Sequence, residues 1–283
     1  MDHSSTDESL SSGKLTLVVF LPDALESHLV GSIERWVRDR TSCVPIARQP
    51  FRFDAEALDR FYSGLAARIP EHWGLICSVF SAGPSLATLW LGDDAAARIA
   101  AVKGETHPAR CPESTIRGRF WCDNPVANLV HASDDRADAA RELDVLRTLV
   151  PDLFRGDLFR GNLTTGEVAP YADAGPPTPR HSGILTLCSL VARLLSHRGV
   201  AFQQLELLDG DARQTMRAAE AWLQQAPTGG STAITRALES FVSGTAEPSE
   251  LLAALQSAVR VEPWEELMLR CGILSRPAWL ETR

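Results

Sequence analysis

The sequence predicts an α+β protein, a ferredoxin-like α/β sandwich followed by a small all-α domain. Two observations carry that expectation. Over the first 150 residues, short apolar runs alternate with stretches of helical spacing. Their order is strand, helix, strand, helix, hairpin, helix, loop, strand, helix. Beyond that point only helical patterns remain, divided by glycine and proline. A chain of 283 residues holds one large domain or two smaller ones, with ample core.

The elements follow in order. LTLVVFL (15–21) is short and rich in Leu and Val, which suits a strand buried on both faces, and Pro22 and Asp23 end it. ALESHLVGSIERWVRDR (24–40) repeats apolar residues at Leu25, Leu29, Ile33 and Trp36, a helical spacing. VPIARQPFRF (44–53) reads as extended and AEALDRFYSGLAARI (55–69) as helical. GLICSVF and SLATLWL flank the turn signal SAGP (81–84), so 74–91 reads as a hairpin. DDAAARIAAV (93–102) is a short helix, and a long loop follows over 103–125. NLVHA is a further strand. DDRADAARELDVLRTLV (134–150) is a helix, with acids at its start and Ala139, Leu143, Leu146 and Val150 on one stripe.

LFRGD (153–157) and LFRGN (158–162) form a tandem repeat too short for a solenoid and read as turns. Prolines at 170, 176, 177 and 179 mark a linker. Helical patterns then occupy 183–198, 209–225, 231–243, 249–260 and 263–274, without a catalytic motif. The expected division is a disordered tail over 1–13, a domain over 14–154, a linker over 155–182 and a helical domain over 183–283.

Composition narrows the function. A net charge of −8 argues against general affinity for nucleic acid or an anionic membrane. The six cysteines form no CxxC pair, which suits reduced, buried thiols in a cytosolic protein. MDHSSTDESLSSG offers no apolar signal core, and LTLVVFL is too short to span a bilayer, so the expected location is cytoplasmic.

One stretch points to chemistry. NLVHASDD (128–135) sets His131 between an amide and a hydroxyl–carboxylate pair. Together with LPDALESHLVG, SAGP and GETHPARCPESTIRGRF it resembles the nucleoside diphosphate kinase family, over roughly residues 14–154. That family carries KPDA near its start, TIRG in a phosphate-binding loop and N-x-x-H-G-S-D at its catalytic histidine. The resemblance implies the family's version of the ferredoxin-like sandwich and a nucleotide substrate, ATP or another nucleoside phosphate. It also implies Mg²⁺ carried with the nucleotide, and it admits a homo-oligomer. By the same resemblance, His131 takes a γ-phosphate and hands it to an acceptor diphosphate. Glu142 orients its ring, Ser133 lies beside it and Tyr62 supports it. Thr106 and Arg117 contact phosphate, and Asn128 contacts the sugar.

The sequence also departs from the family pattern. Leu21 stands where the family has a phosphate-contacting lysine, and Ala100 where it has an arginine. Arg98 lies two residues from that place, a helical rotation of about 200° that aims it elsewhere. Ala132 replaces the glycine after the histidine. Arg110 and Arg119 replace carboxylates, which suggests that phosphate-binding charge has moved into the loop. His72 or Trp73, in a slightly expanded base-binding region, is placed either to stack on a base or to pack. Two readings stand open. One is a divergent phosphotransferase using His131, with altered substrate or reaction in specialised nucleotide metabolism. The other is a catalytically impaired nucleotide-binding sensor or scaffold whose helical domain binds a partner.

Overall fold

The computed structural model describes residues 14–134, 136–154, 168–205, 211–228 and 231–281. The expected tail (1–13), the second pentapeptide of the tandem repeat and the first part of the linker lie outside them. The chain forms two compact units. The first runs to Gly104 and takes in Leu129–Thr178; the second takes in Glu105–Asn128 and Pro179–Arg283. Residues 105–128 thus belong with the C-terminal helices.

The first unit is built on a four-stranded antiparallel sheet, β1 (Leu15–Phe20), β2 (Val44–Phe51), β3 (Ser85–Leu91) and β4 (Val130–Ala132), in the order β2-β3-β1-β4. This is the ferredoxin-like order. β1 is buried at every position because it is central and covered on both faces. β2 is an edge strand and carries Pro45 and Pro50, which an edge tolerates because a lost N–H breaks fewer ladder bonds there.

The helices of this unit are α1 (Pro22–Glu26), α2 (Val30–Thr41), α3 (Ala55–Phe61), α4 (Leu65–Arg68), α5 (Pro70–Ala82), α6 (Ala95–Lys103) and α8 (Arg136–Leu149). α3 packs on α8, and α2 on α6. Leu15, Leu17 and Val19 share a core with Phe61, Leu143 and Leu146. Each of the two helices expected over 24–40 and 55–69 is broken in two. Left-handed backbone at His28 (φ 53°) ends one run, and at Ser63 (φ 37°) and Gly64 (φ 74°) the other.

The hairpin expected over 74–91 is corrected: its first arm is the helix α5. Ile76, Val79 and Phe80 are its buried residues, a helical spacing, and Pro70 opens it at a first-turn position. A short apolar run fits a strand or a buried helix equally, and the proline upstream decides between them.

The stretch read as a linker is tied down where it is described. Asp173 accepts from the backbone N–H groups of Val30 (3.1 Å) and Gly31 (3.0 Å), capping the start of α2. A side chain at Gly31 would meet the Tyr171 carbonyl at 2.5 Å, so this approach needs glycine. Val168 N–H donates to the Pro45 carbonyl, and Arg48 donates to the Ala169 carbonyl while forking onto Glu34.

In the second unit, the short helix α7 (Ile116–Arg119) belongs to residues 105–128. The C-terminal part folds as α9 (Gly183–His197), α10 (Ala212–Gln225), α11 (Thr232–Ser243), α12 (Pro248–Gln256) and α13 (Pro263–Glu281). Their apolar stripes meet in one core that includes Leu187, Leu194, Leu223, Phe241 and Leu269, with Ala109 of the earlier segment. α9 and α13 cross closely because Gly183 faces Gly272; a Cβ on Gly183 would lie 2.6 Å from the Gly272 backbone. Among the described residues no helix is long and apolar enough to cross a membrane.

Candidate functional site

In the first unit, β4 pairs with β1 so that His131 lies opposite Val19. Directly opposed residues project to the same face. The histidine ring therefore enters the face where α3 and α8 pack, and meets a side chain from each. Its Nε2 lies 2.9 Å from Glu142 Oε2, a close contact off the direction of a good hydrogen bond. The same oxygen accepts from Ser133 Oγ at 2.6 Å. Glu142 and Ser133 are buried, whereas the His131 side chain is 18% exposed.

A carboxylate beside Nε2 favours the tautomer with its proton there, leaving the Nδ1 lone pair as the nucleophile. Among the described residues nothing hydrogen-bonds to Nδ1. Tyr62 meets the ring edge to face at 5.4 Å. Phe61, which carries no motif signal in the sequence, is nearer at 4.9 Å. Trp73 packs 6.4 Å from Tyr62, joining this aromatic group. His72 pairs with Glu71.

Two further residues of this unit surround β4. Asp23 is fully buried and accepts the backbone N–H of Leu129 at 2.8 Å. Lys103 is 7% exposed and donates to the Ala132 carbonyl (2.7 Å) and Asp134 (2.5 Å). Asp23 stood in the quoted PDA motif without a role, and Lys103 carried no sequence signal beyond its place before GET.

In the second unit, Thr115 caps α7 and donates to the Pro112 carbonyl. A side chain at Gly118 would meet that carbonyl at 2.0 Å, which explains the glycine in TIRG. Arg117 is 4% exposed. It donates to the Glu105 carbonyl (2.9 Å) and the Asn128 side-chain oxygen (3.2 Å). Asn128 in turn donates to the Pro125 carbonyl. Arg117 and Asn128 thus form one buried pair, Thr106 and Arg110 are exposed, and Arg119 is half-buried at the end of α7.

The family model for nucleoside diphosphate kinase matches residues 14–147. Human nucleoside diphosphate kinase 3 is 33% identical over 128 residues, covering 45% of this chain and 73% of that protein. The chain belongs to the nucleoside diphosphate kinase family. The nucleoside diphosphate kinase of Acidiphilium cryptum (strain JF-5) is likewise 33% identical, over 45% of this chain and 89% of that protein. Among solved structures, the halophilic nucleoside diphosphate kinase of Halobacterium salinarum in complex with CDP has 27% identity and a TM-score of 0.43. It covers 47% of this chain and 86% of that one.

Leu21, Ala100 and Arg98 also lie in this nucleoside diphosphate kinase-family domain. Leu21 is 2% exposed, and its backbone N–H donates to the Leu129 carbonyl. Ala100 lies on α6. Arg98 donates to the Thr41 carbonyl at 3.0 Å, at the end of α2. Its guanidinium therefore serves that helix terminus.

Proposed function

We propose that this nucleoside diphosphate kinase-family chain is a phosphotransferase that acts on a nucleoside phosphate through phosphohistidine at His131. The observation that carries the reading is the Ser133–Glu142–His131 series, which engages Nε2 and leaves Nδ1 for attack. Nδ1 forms a bond to the γ-phosphorus as the bond to the β,γ-bridging oxygen breaks, and the diphosphate leaves with that electron pair. An acceptor diphosphate then attacks the same phosphorus and releases the imidazole. Glu142 holds the ring and stabilises the charge it gains. Tyr62 and Phe61 fix its plane. Thr106, Arg117 and Asn128 serve the nucleotide, with Arg110 and Arg119 as cationic phosphate contacts. Mg²⁺ would come with the nucleotide and would supply positive charge against its phosphates.

Leu21 and Ala100 favour the second reading, a nucleotide-binding module of reduced activity. Losing one preorganised donor costs about 10²–10³ in rate. One measurement separates the two. The protein is incubated with ATP and Mg²⁺ and examined by mass spectrometry for an acid-labile adduct of about 80 Da. The phosphotransferase reading expects the adduct, and expects His131→Ala to lose it while remaining folded. Calorimetric binding of ADP with no adduct in the parent protein would establish the module instead.

A further inference from the structure

The C-terminal helices carry no catalytic motif, yet they grip one residue of the segment 105–128 from two sides. The backbone carbonyl of Asp123 accepts from Ser275 Oγ (2.7 Å) and Trp279 Nε1 (2.6 Å), both on α13. Its carboxylate accepts from Ser182 Oγ (2.8 Å) and from the Ile184 N–H (2.8 Å), at the start of α9. Asp123 is 3% exposed, so every one of these bonds is made out of water.

The grip is passed along the chain. Asn124 donates to the Asp123 carboxylate and to the His181 carbonyl. Its side-chain oxygen accepts from the N–H groups of Val126 and Ala127. The carbonyl of Pro125 accepts from Asn128, and Asn128 accepts from Arg117. Arg117 closes the series on the Glu105 carbonyl. Hydrogen bonds, joined by the short backbone stretch 124–128, therefore link α9 and α13 to the Arg117–Asn128 pair. A loop that only needed to be covered would not require this series; a loop whose shape matters would.

We propose that Asp123 is a positioning residue, through which the C-terminal helices hold the Arg117–Asn128 pair in its nucleotide-binding shape. The proposal rests on the reading of that pair as nucleotide contacts. It gives the helical region a task in the reaction that its own sequence does not display, and it makes nucleotide affinity depend on residues of α9 and α13.

The test uses the full chain with Asp123→Asn and Ser275→Ala. Asp123→Asn keeps the volume and removes the charge. Ser275→Ala keeps the carboxylate and removes one donor. Three quantities are read: KM for ATP, kcat, and labelling of His131 by phosphoramidate, a small phosphoryl donor without a nucleoside. KM is expected to rise about tenfold in Asp123→Asn and roughly threefold in Ser275→Ala, the scale of one weakened buried hydrogen bond. Saturated kcat and phosphoramidate labelling should stay within about twofold of the parent. An unchanged KM in the folded variants overturns the proposal. So does a fall in labelling that keeps pace with KM, which marks a general structural fault. If Asp123→Asn fails to fold, Ser275→Ala decides. If the parent binds ADP but labels with neither donor, the phosphotransfer reading fails, and the change in ADP Kd replaces KM as the deciding quantity. A parent that does neither overturns both.

Discussion

Leu129 has a φ of 73°, in the left-handed region where a bulky residue pays a steric penalty of about 1–2 kcal/mol. It stands two residues before His131, and both of its backbone polar groups are held. Asp23 takes the N–H, and the Leu21 N–H takes the carbonyl. Asp23→Ala would leave a buried N–H without its acceptor. We expect a loss of roughly 1.5–3 kcal/mol in chemical denaturation, together with weaker ATP-driven labelling of His131. An unchanged denaturation midpoint would show that Leu129 is held by other means. Leu21 sets a second expectation. At 2% exposure it has no room in water for an ammonium group. Leu21→Lys should therefore lower the melting temperature, since burying an unpaired charge costs several kcal/mol, and should not raise labelling. A gain in labelling without a loss of stability would mean that this position still faces phosphate. That His131, Ser133 and Glu142 come together was legible, because one short stretch and the helix after it carry them. Phe61, Lys103 and the role of Asp23 were not. Their contacts join residues far apart in the chain, and no periodicity marks such pairs.

The elements divide along the same line. Strands β1, β3 and β4 and the helix Arg136–Leu149 follow from apolar runs and spacing, which report local burial. Helix α5 was misread because its seven-residue apolar run fits either period. Residues 168–178 read as a linker from their prolines, and proline content says nothing about what a segment lies against. The carboxylate that caps α2 comes from Asp173, more than 140 residues after the amides it receives. Asp173→Ala should cost about 1 kcal/mol, the usual worth of such a cap. Hydrogen exchange should quicken at the first turn of α2 and leave its last turn unchanged. Equal exchange along the helix would show that the cap is supplied by something else.

For the molecule as a whole, the second unit holds a buried histidine that couples its stability to pH. Burial pushes His181 down from 6.5 to about 4, while its bond to the Phe120 carbonyl pulls weakly the other way. The folded protein keeps this ring neutral, and the unfolded chain protonates it below 6.5. Stability is therefore complete above about 6.5 and falls as pH drops toward 4. The loss is expected to reach about 3 kcal/mol by pH 4. Denaturant midpoints of the second unit between pH 7 and 4.5 would measure it, and His181→Gln should flatten the slope. Equal slopes in the two proteins would assign the acid sensitivity to other groups. Asp123 contributes with the opposite sign. Burial pushes its carboxyl up, although Ile184, Asn124 and Ser182 donate to it, so its share of stability declines as pH rises past 3.8.

The outer strand β2 has a history in time as well as a place in space. Val168, which takes the Pro45 carbonyl, is made roughly 120 residues after it. At 5–20 residues per second the ribosome needs about 6–25 s to supply it. Through that interval the strand's free side is open to any extended segment nearby. Pro45 and Pro50 each remove an N–H that such a segment would need. The two prolines thus make the nascent edge a poor template for its neighbours, until Val168 arrives to meet the Pro45 carbonyl.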